Sequence, residues 1–315
     1  MTPLEAAWKA VLEHPEDDRA LSVLSDALSE QGDPHGELIR MGLAPDVDLD
    51  AVHLFVATHA TELLGDVSRL HHWAPVFERG FISRAGTVST ARELEALLTR
   101  PVGRLLRELR VNEPPSQVVK AVIRSAPVLL QRLTMTSAVE EESPFALAPL
   151  LEALPRLERL HLGLTQIDWV GARSSSLKTL GVELWPRTQL MGPARFPMLD
   201  SLYLTLSFGG TRPPPELLEG VVTPTLRTLT IAGALWPAQL ELLAASPLLA
   251  GLRSLHLLGE TATGWYPVLL QRADAFRHLE RLSVRPDAHH AEWVTAVREL
   301  FPNVVVVTET PALGA

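Results

Sequence analysis

An apolar triplet with spacings of three and then two residues recurs along this chain, and it limits the possible folds more than any other feature. It reads Leu106/Leu109/Val111, Leu130/Leu133/Met135, Leu157/Leu160/Leu162, Leu177/Leu180/Val182, Leu199/Leu202/Leu204, Leu226/Leu229/Ile231, Leu252/Leu255/Leu257 and Leu279/Leu282/Val284. An amphipathic helix wants spacings of three and four, and a half-buried strand wants strict alternation. The hybrid arises when the last two residues alternate on a short strand facing a core and the first lies on the approach to it. The first positions are separated by 24, 27, 20, 22, 27, 26 and 27 residues. That is the period of a strand followed by a return segment. One triplet occurs by chance in leucine-rich helices, but eight in register, with breakers between them, predict a repeated strand-and-return unit.

The return segments differ among themselves. Residues 116–127, 238–247 and 291–302 carry apolar residues at three and four and predict helices, which Pro127, Pro247 and Pro302 stop before the next strand. Residues 163–176 and 183–197 have little helical periodicity and predict irregular returns. A bundle of leucine-rich helices is a poor alternative, because prolines and glycines are spread throughout 100–310.

The triplets resemble those of leucine-rich repeat proteins over about two thirds of the chain. The resemblance implies an α/β leucine-rich repeat solenoid of about eight to ten repeats, with a curved parallel sheet and a mixed helical and loop outer face. The asparagine that usually follows the last strand leucine by three residues is replaced by Pro114, Thr165, Trp185, Ser207, Ala234, Glu260 and Asp287, which implies irregular turns.

Residues 3–45 lack the repeat. LEAAWKAVLEH has helical spacing, and Pro15 opens a second helix running to Glu30 with Glu16, Asp17 and Asp18 at its positive end. Gly32 ends that helix and Asp33-Pro34 starts a third. This stretch, through Pro15, Asp17, Asp18, Asp26, Gly32, Asp33, Pro34, Gly36 and Glu37, resembles the short repeat-companion domain that precedes leucine-rich repeats in a group of bacterial proteins. Ser25 and Ala27 depart from it, standing near positions where that family prefers aromatic residues. The resemblance implies architecture and a bacterial origin, and no defined activity. A long helix is expected over 49–70 and a first strand over 76–89, capping the sheet edge. The expected domains are therefore 1–75, helical, and 76–315, the repeats.

Composition narrows the chemistry. The chain has no cysteine, which removes disulfides, thiolate nucleophiles and cysteine zinc sites. Its net charge of -9 argues against general affinity for nucleic acid or anionic lipid. No segment reads as a secretory leader or a bilayer span, so a cytoplasmic protein is expected. Metalloprotease, phosphate-loop, dinucleotide and hydrolase-elbow motifs are absent from the sequence. His71-His72 and His289-His290 have no carboxylate at ligand spacing, the acidic run 139–143 reads as a solvated loop, and the tryptophans after strands read as packing. No catalytic residue, metal or cofactor is expected.

What is left is the concave strand face. Its outward positions carry five arginines and two glutamates, an excess of positive charge in an acidic chain. The expected partner-binding residues are Arg110, Arg132, Arg159, His161, Glu183, Tyr203, His256, Arg281 and Arg285, and the expected role is a non-catalytic protein-protein interaction module or scaffold holding an acidic segment or subunit. The alternative is an enzyme or ligand-binding protein using an acidic loop site formed by Asp17, Asp18, Asp26, Asp33, His35 and Glu37.

Overall fold

The structure, a computed structural model, describes residues 1–65, 75–88, 90–112, 115–125, 129–136, 145–163, 166–184, 189–191, 195–206, 225–233, 237–259, 262–284, 291–302 and 305–307. The chain forms two compact units, Met1–Thr134 and Met135–Ala315.

The first unit opens with three helices, α1 (Pro3–Glu13), α2 (Asp18–Ser29) and α3 (Pro34–Gly42). Each starts on a capping side chain, Thr2, Asp17 and Asp33, that accepts a backbone N–H of the first turn. Gly32 takes a φ of +70° between α2 and α3. Gly36 lets α3 lie directly on α2, since a Cβ there would stand 2.6 Å from the Ser25 carbonyl oxygen. Ser25, one of the departures from the companion-domain pattern, donates its hydroxyl to the Gly36 carbonyl at 2.7 Å and so ties the same two helices together.

The helix expected over 49–70 is broken in its described part, 49–65, and 66–70 lie outside the described residues. It forms α4 (Leu49–Thr58) and α5 (Ala60–Leu64), with His59 off the helical conformation and Gly65 at a φ of +60°, where the Arg100 guanidinium fills the space a Cβ would need. The strand expected over 76–89 is a hairpin, β1 (Val76–Glu78) and β2 (Phe81–Val88), turning through Arg79 at φ 53° and Gly80 at φ 83°. Two successive positive φ values match the right-handed twist of the strands. The turn is seated on α3: a Cβ on Gly80 would collide with the Ile39 backbone, and one on Gly42 would stand 2.6 Å from the Arg79 carbonyl carbon. The helices and hairpin share one core, in which Trp8, Leu21, Leu24 and Ile39 pack with Phe81, Leu105 and Leu129. Beyond it β3 (Glu108–Val111) runs parallel to β2, and β4 (Arg132–Thr136) is next in order.

The second unit contains β5 (Phe145–Ala146), β6 (Arg159–Gly163), β7 (Gln166–Asp168), β8 (Thr179–Leu184), β9 (Gln189–Met191), β10 (Ser201–Leu206), β11 (Thr228–Gly233), β12 (Ser254–Gly259), β13 (Arg281–Val284) and β14 (Val305–Val307). β6, β8, β10, β11, β12, β13 and β14 pair in that order, all parallel. The register puts like repeat positions side by side. Leu160, Leu180, Leu202, Leu229, Leu255 and Leu282 form one buried row, and Leu162, Val182, Leu204, Ile231, Leu257 and Val284 the next.

Backbone bonds explain the spacing of three. The N–H groups of Leu157, Leu199, Leu252 and Leu279 bond carbonyls three residues earlier, so a tight turn delivers the first leucine to the core just before the strand begins. At the strand entrance a single carbonyl accepts two successive N–H groups from the next repeat: Glu158 from Lys178 and Thr179, Lys178 from Asp200 and Ser201, Asp200 from Arg227 and Thr228, and Arg227 from Arg253 and Ser254. The two return segments expected to be irregular instead pair with each other. Their strands β7 and β9, with β5 from the preceding return, build a second, three-stranded parallel sheet. Trp169, just after β7, packs edge-on to Phe196 with ring centroids 6.0 Å apart. Later returns are helical, over Pro237–Ala245, Pro247–Gly251, Ala262–Gln271, Ala273–Phe276 and Ala291–Leu300. Pro247 does not merely stop a helix; capped by Ser246, it begins the next one. The result is a mixed α/β fold dominated by a long parallel sheet.

Candidate functional site

Strand residues that alternate with the buried leucines stand on the side of the sheet that the core does not use. In the first unit this side is dominated by arginine. Arg84 of β2, Glu108 of β3 and Arg132 of β4 lie along it, and Arg84 pairs with Glu108 in the ladder. Glu108 is the focus. Its Oε2 lies 3.1 Å from Arg84 Nε and 3.0 Å from Arg132 Nη1, and its Oε1 lies 3.6 Å from Arg110 Nη2. The glutamate side chain is only 13% exposed, whereas those of Arg84, Arg110 and Arg132 are 52%, 60% and 44% exposed. Of the three, sequence reasoning omitted Arg84. Alternation along FISRAGTV could not have supplied it, because Ile82 and Val88, on the same phase as Arg84, are both buried and the ladder shifts register between Ala85 and Thr87.

In the second unit the same side holds Arg159, exposed on β6, and two histidine centres. His161 leans across Gly181, where its Nδ1 occupies the place of a Cβ, and its ring lies 6.4 Å from that of Tyr203. Glu183 leans the opposite way, its Oε2 2.6 Å from where a Gly163 Cβ would be. The two glycines thus make room for two crossing side chains. Burial holds the His161 pKa below the ordinary histidine value, and the Glu183 carboxylate opposes that shift. On β12, His256 Nδ1 lies 2.8 Å from the Ser283 hydroxyl. Its pKa is also lowered, by burial first and by the nearby Arg281 second. A serine hydroxyl on a neutral imidazole has the makings of a nucleophile and base, but Ser283 has no exposed surface through which a substrate carbonyl could reach it. Arg281 is exposed at the start of β13. The structure therefore groups Arg110 with Arg132, His161 with Glu183 and Tyr203, and His256 with Arg281; Arg285 lies outside the described residues.

Five acidic residues of the helical region are held by partners within the protein. Asp17 and Asp33 cap helices, and Glu37 pairs with Arg40 at 2.5 Å. Asp18 pairs with Arg79 at 3.3 Å, and Glu16 holds both Arg79 and Arg107. His35 is buried, stacked edge-on to Phe81 with centroids 4.8 Å apart. Among the described residues no group of three or more histidine and acidic side chains is placed to hold a metal ion. His71, His72, His289, His290 and the acidic run 139–143 lie outside them. No described helix is long and apolar enough to cross a membrane.

No family model matches the chain, and no curated protein matches it. Among solved structures it is similar to a Bacteroides fragilis protein determined by a structural genomics consortium, with a TM-score of 0.49 and 14% identity over 83% of this chain and 82% of that one. That likeness is too distant to add to the reading of the site.

Proposed function

We propose that the chain is a leucine-rich repeat solenoid headed by a repeat-companion domain, and that it acts as a non-catalytic interaction module or scaffold. It holds an acidic segment of a protein partner on the polar, concave side of its sheet. One observation carries this reading: strand positions the core does not use are occupied by exposed arginines, Arg84, Arg110, Arg132, Arg159 and Arg281, in a chain whose net charge is -9. Half-exposed Tyr203, His161 and His256 add broad, semi-polar contact area beside them. Charge-assisted bonds to carboxylates would anchor the partner, and the association rate would fall as salt rises.

The test begins with affinity purification from the native host and identification of what co-purifies. Reversing Arg132 and Arg159 to glutamate should then weaken binding at least a hundredfold while leaving circular dichroism unchanged. Arg298→Glu is the control, on an exposed position of the Ala291–Leu300 helix. Binding that survives the double reversal, or that fails equally in the control, removes the arginines from recognition.

A further inference from the structure

We infer that the cluster of Arg84, Arg110 and Arg132 around Glu108 is a preorganised subsite for two carboxylates of an extended acidic peptide. This rests on the interaction reading above and assigns it a location and a ligand stoichiometry. The argument starts from charge. Three guanidiniums meet one carboxylate, so the cluster carries an excess of two positive charges. Three guanidiniums offer about fifteen N–H donors and a carboxylate about four acceptor positions, so Glu108 satisfies a minority of them. Two of its contacts fall on the same oxygen, and the third, at 3.6 Å, is longer than a hydrogen bond.

Geometry selects the ligand. Glu108 fills the point on which the arginines converge, and with a side chain only 13% exposed and bonded to Arg84 and Arg132 it is held there. It holds the three guanidiniums in place, so a ligand does not have to order them. An incoming anion meets them from their outer edges. Arg84 and Arg132 belong to strands on either side of β3, so their backbones stand about 10 Å apart. A single phosphoryl group gathers its oxygens at one point and suits a convergent pocket, which Glu108 already occupies. Side chains two residues apart on an extended peptide face the same way, about 6.5 to 7 Å apart, and long glutamate arms close the difference. An extended segment with acidic residues at alternate positions matches both the charge excess and the spread.

The inference is tested with the full chain at low ionic strength by fluorescence anisotropy. The probes are three labelled peptides of equal length: one with two glutamates at alternate positions, one with a single glutamate, and one with a single phosphoserine. The two-glutamate peptide should bind about tenfold tighter than either other peptide. Arg84→Gln, Arg110→Gln and Arg132→Gln should each weaken it about fivefold to tenfold, and Arg298→Gln should not. Tighter binding of the phosphoserine peptide overturns the dicarboxylate assignment. If binding ignores the three cluster variants but is lost with Arg159→Gln or Arg281→Gln, the subsite is wrong and the interaction reading stands. If the two-glutamate peptide binds but ignores all five arginine variants, both fall. Failure of any peptide to bind the wild-type chain overturns the subsite alone, since the co-purification experiment tests the wider reading separately.

Discussion

The ring Nε2 of His35 lies 3.0 Å from the carbonyl oxygen of Gly80, a bond that joins the third helix to the tip of the first hairpin across 45 residues of sequence. Nε2 carries the proton it donates to that carbonyl, which leaves Nδ1 as a buried acceptor without a partner. Protonating Nδ1 would place an unpaired charge between Trp8 and Phe81. Burial therefore lowers the His35 pKa from 6.5 to about 4; the Gly80 bond and Asp33 act against that shift, and Arg104 with it.

A pH dependence of stability follows. Because the folded pKa lies below the unfolded one, His35 costs nothing above pH 6.5, destabilises the fold progressively as pH falls from 6.5 to about 4, and adds no further loss below that. The full effect is roughly 3 kcal/mol. His35→Gln keeps an N–H donor and removes the titration. Urea denaturation at pH 7 and pH 4.5 should show a smaller pH difference for the variant than for the wild type. Equal pH differences in the two proteins would place the acid sensitivity elsewhere.

Gly80 and Gly32 separate backbone strain from crowding. Both have positive φ, +83° and +70°, but a Cβ on Gly80 would collide with the Ile39 backbone whereas one on Gly32 would meet nothing within 4 Å. Gly32→Ala should cost only the conformational strain, about 1 kcal/mol. Gly80→Ala must also lift the hairpin off the third helix and should cost about 3 kcal/mol or more. Melting temperatures of the two variants decide the matter, and equal losses would mean the hairpin tip is not seated on that helix.

The strand phase is tested at neighbouring residues. Leu202 is buried in the row that joins Leu180 to Leu229, and Tyr203 stands half-exposed on the other side. Leu202→Asp buries an unpaired charge and leaves a cavity, so it should cost roughly 3 kcal/mol or more. Tyr203→Ser should cost less than about 1 kcal/mol. Equal shifts in melting temperature would contradict the assigned phase.

How much of this was legible in the sequence depended on whether a signal was local. The leucine triplets were readable because each residue's burial is fixed by its place in a short turn and strand, and the ladder then aligned Leu160 with Leu180 and Leu202 as the spacing required. The caps Asp17 and Asp33 were readable for the same reason. The hairpin at Arg79-Gly80 was not, since arginine at positive φ is uncommon and is held there by distant Glu16 and Asp18. The β5-β7-β9 sheet was missed because two-residue and three-residue strands carry almost no alternation. At the site, the outward phase of Arg110 and Arg132 could be read from alternation, but their convergence on Glu108 depends on side-chain reach between strands, which spacing along one strand does not encode.

The last prediction concerns the crossing of His161 and Glu183. His161 keeps its lowered pKa because it lies down over Gly181, beside Tyr203 and shielded from water. Gly181→Ala puts a methyl group where Nδ1 now sits, so the ring must swing outward; the displaced atom is at the end of a side chain, which keeps the cost to about 1 kcal/mol. Once solvated, the imidazole should titrate closer to the ordinary histidine value. Glu183→Gln should do the opposite, since it removes the carboxylate that favours the protonated ring and leaves the burial in place. Proton NMR of the His161 ring across pH 4 to 8 reads both effects. A raised midpoint in Glu183→Gln would remove the carboxylate from the balance, and an unchanged one in Gly181→Ala would show that the ring does not rest in the space left by the glycine, so that its contact with Tyr203 is no part of the surface offered to a partner.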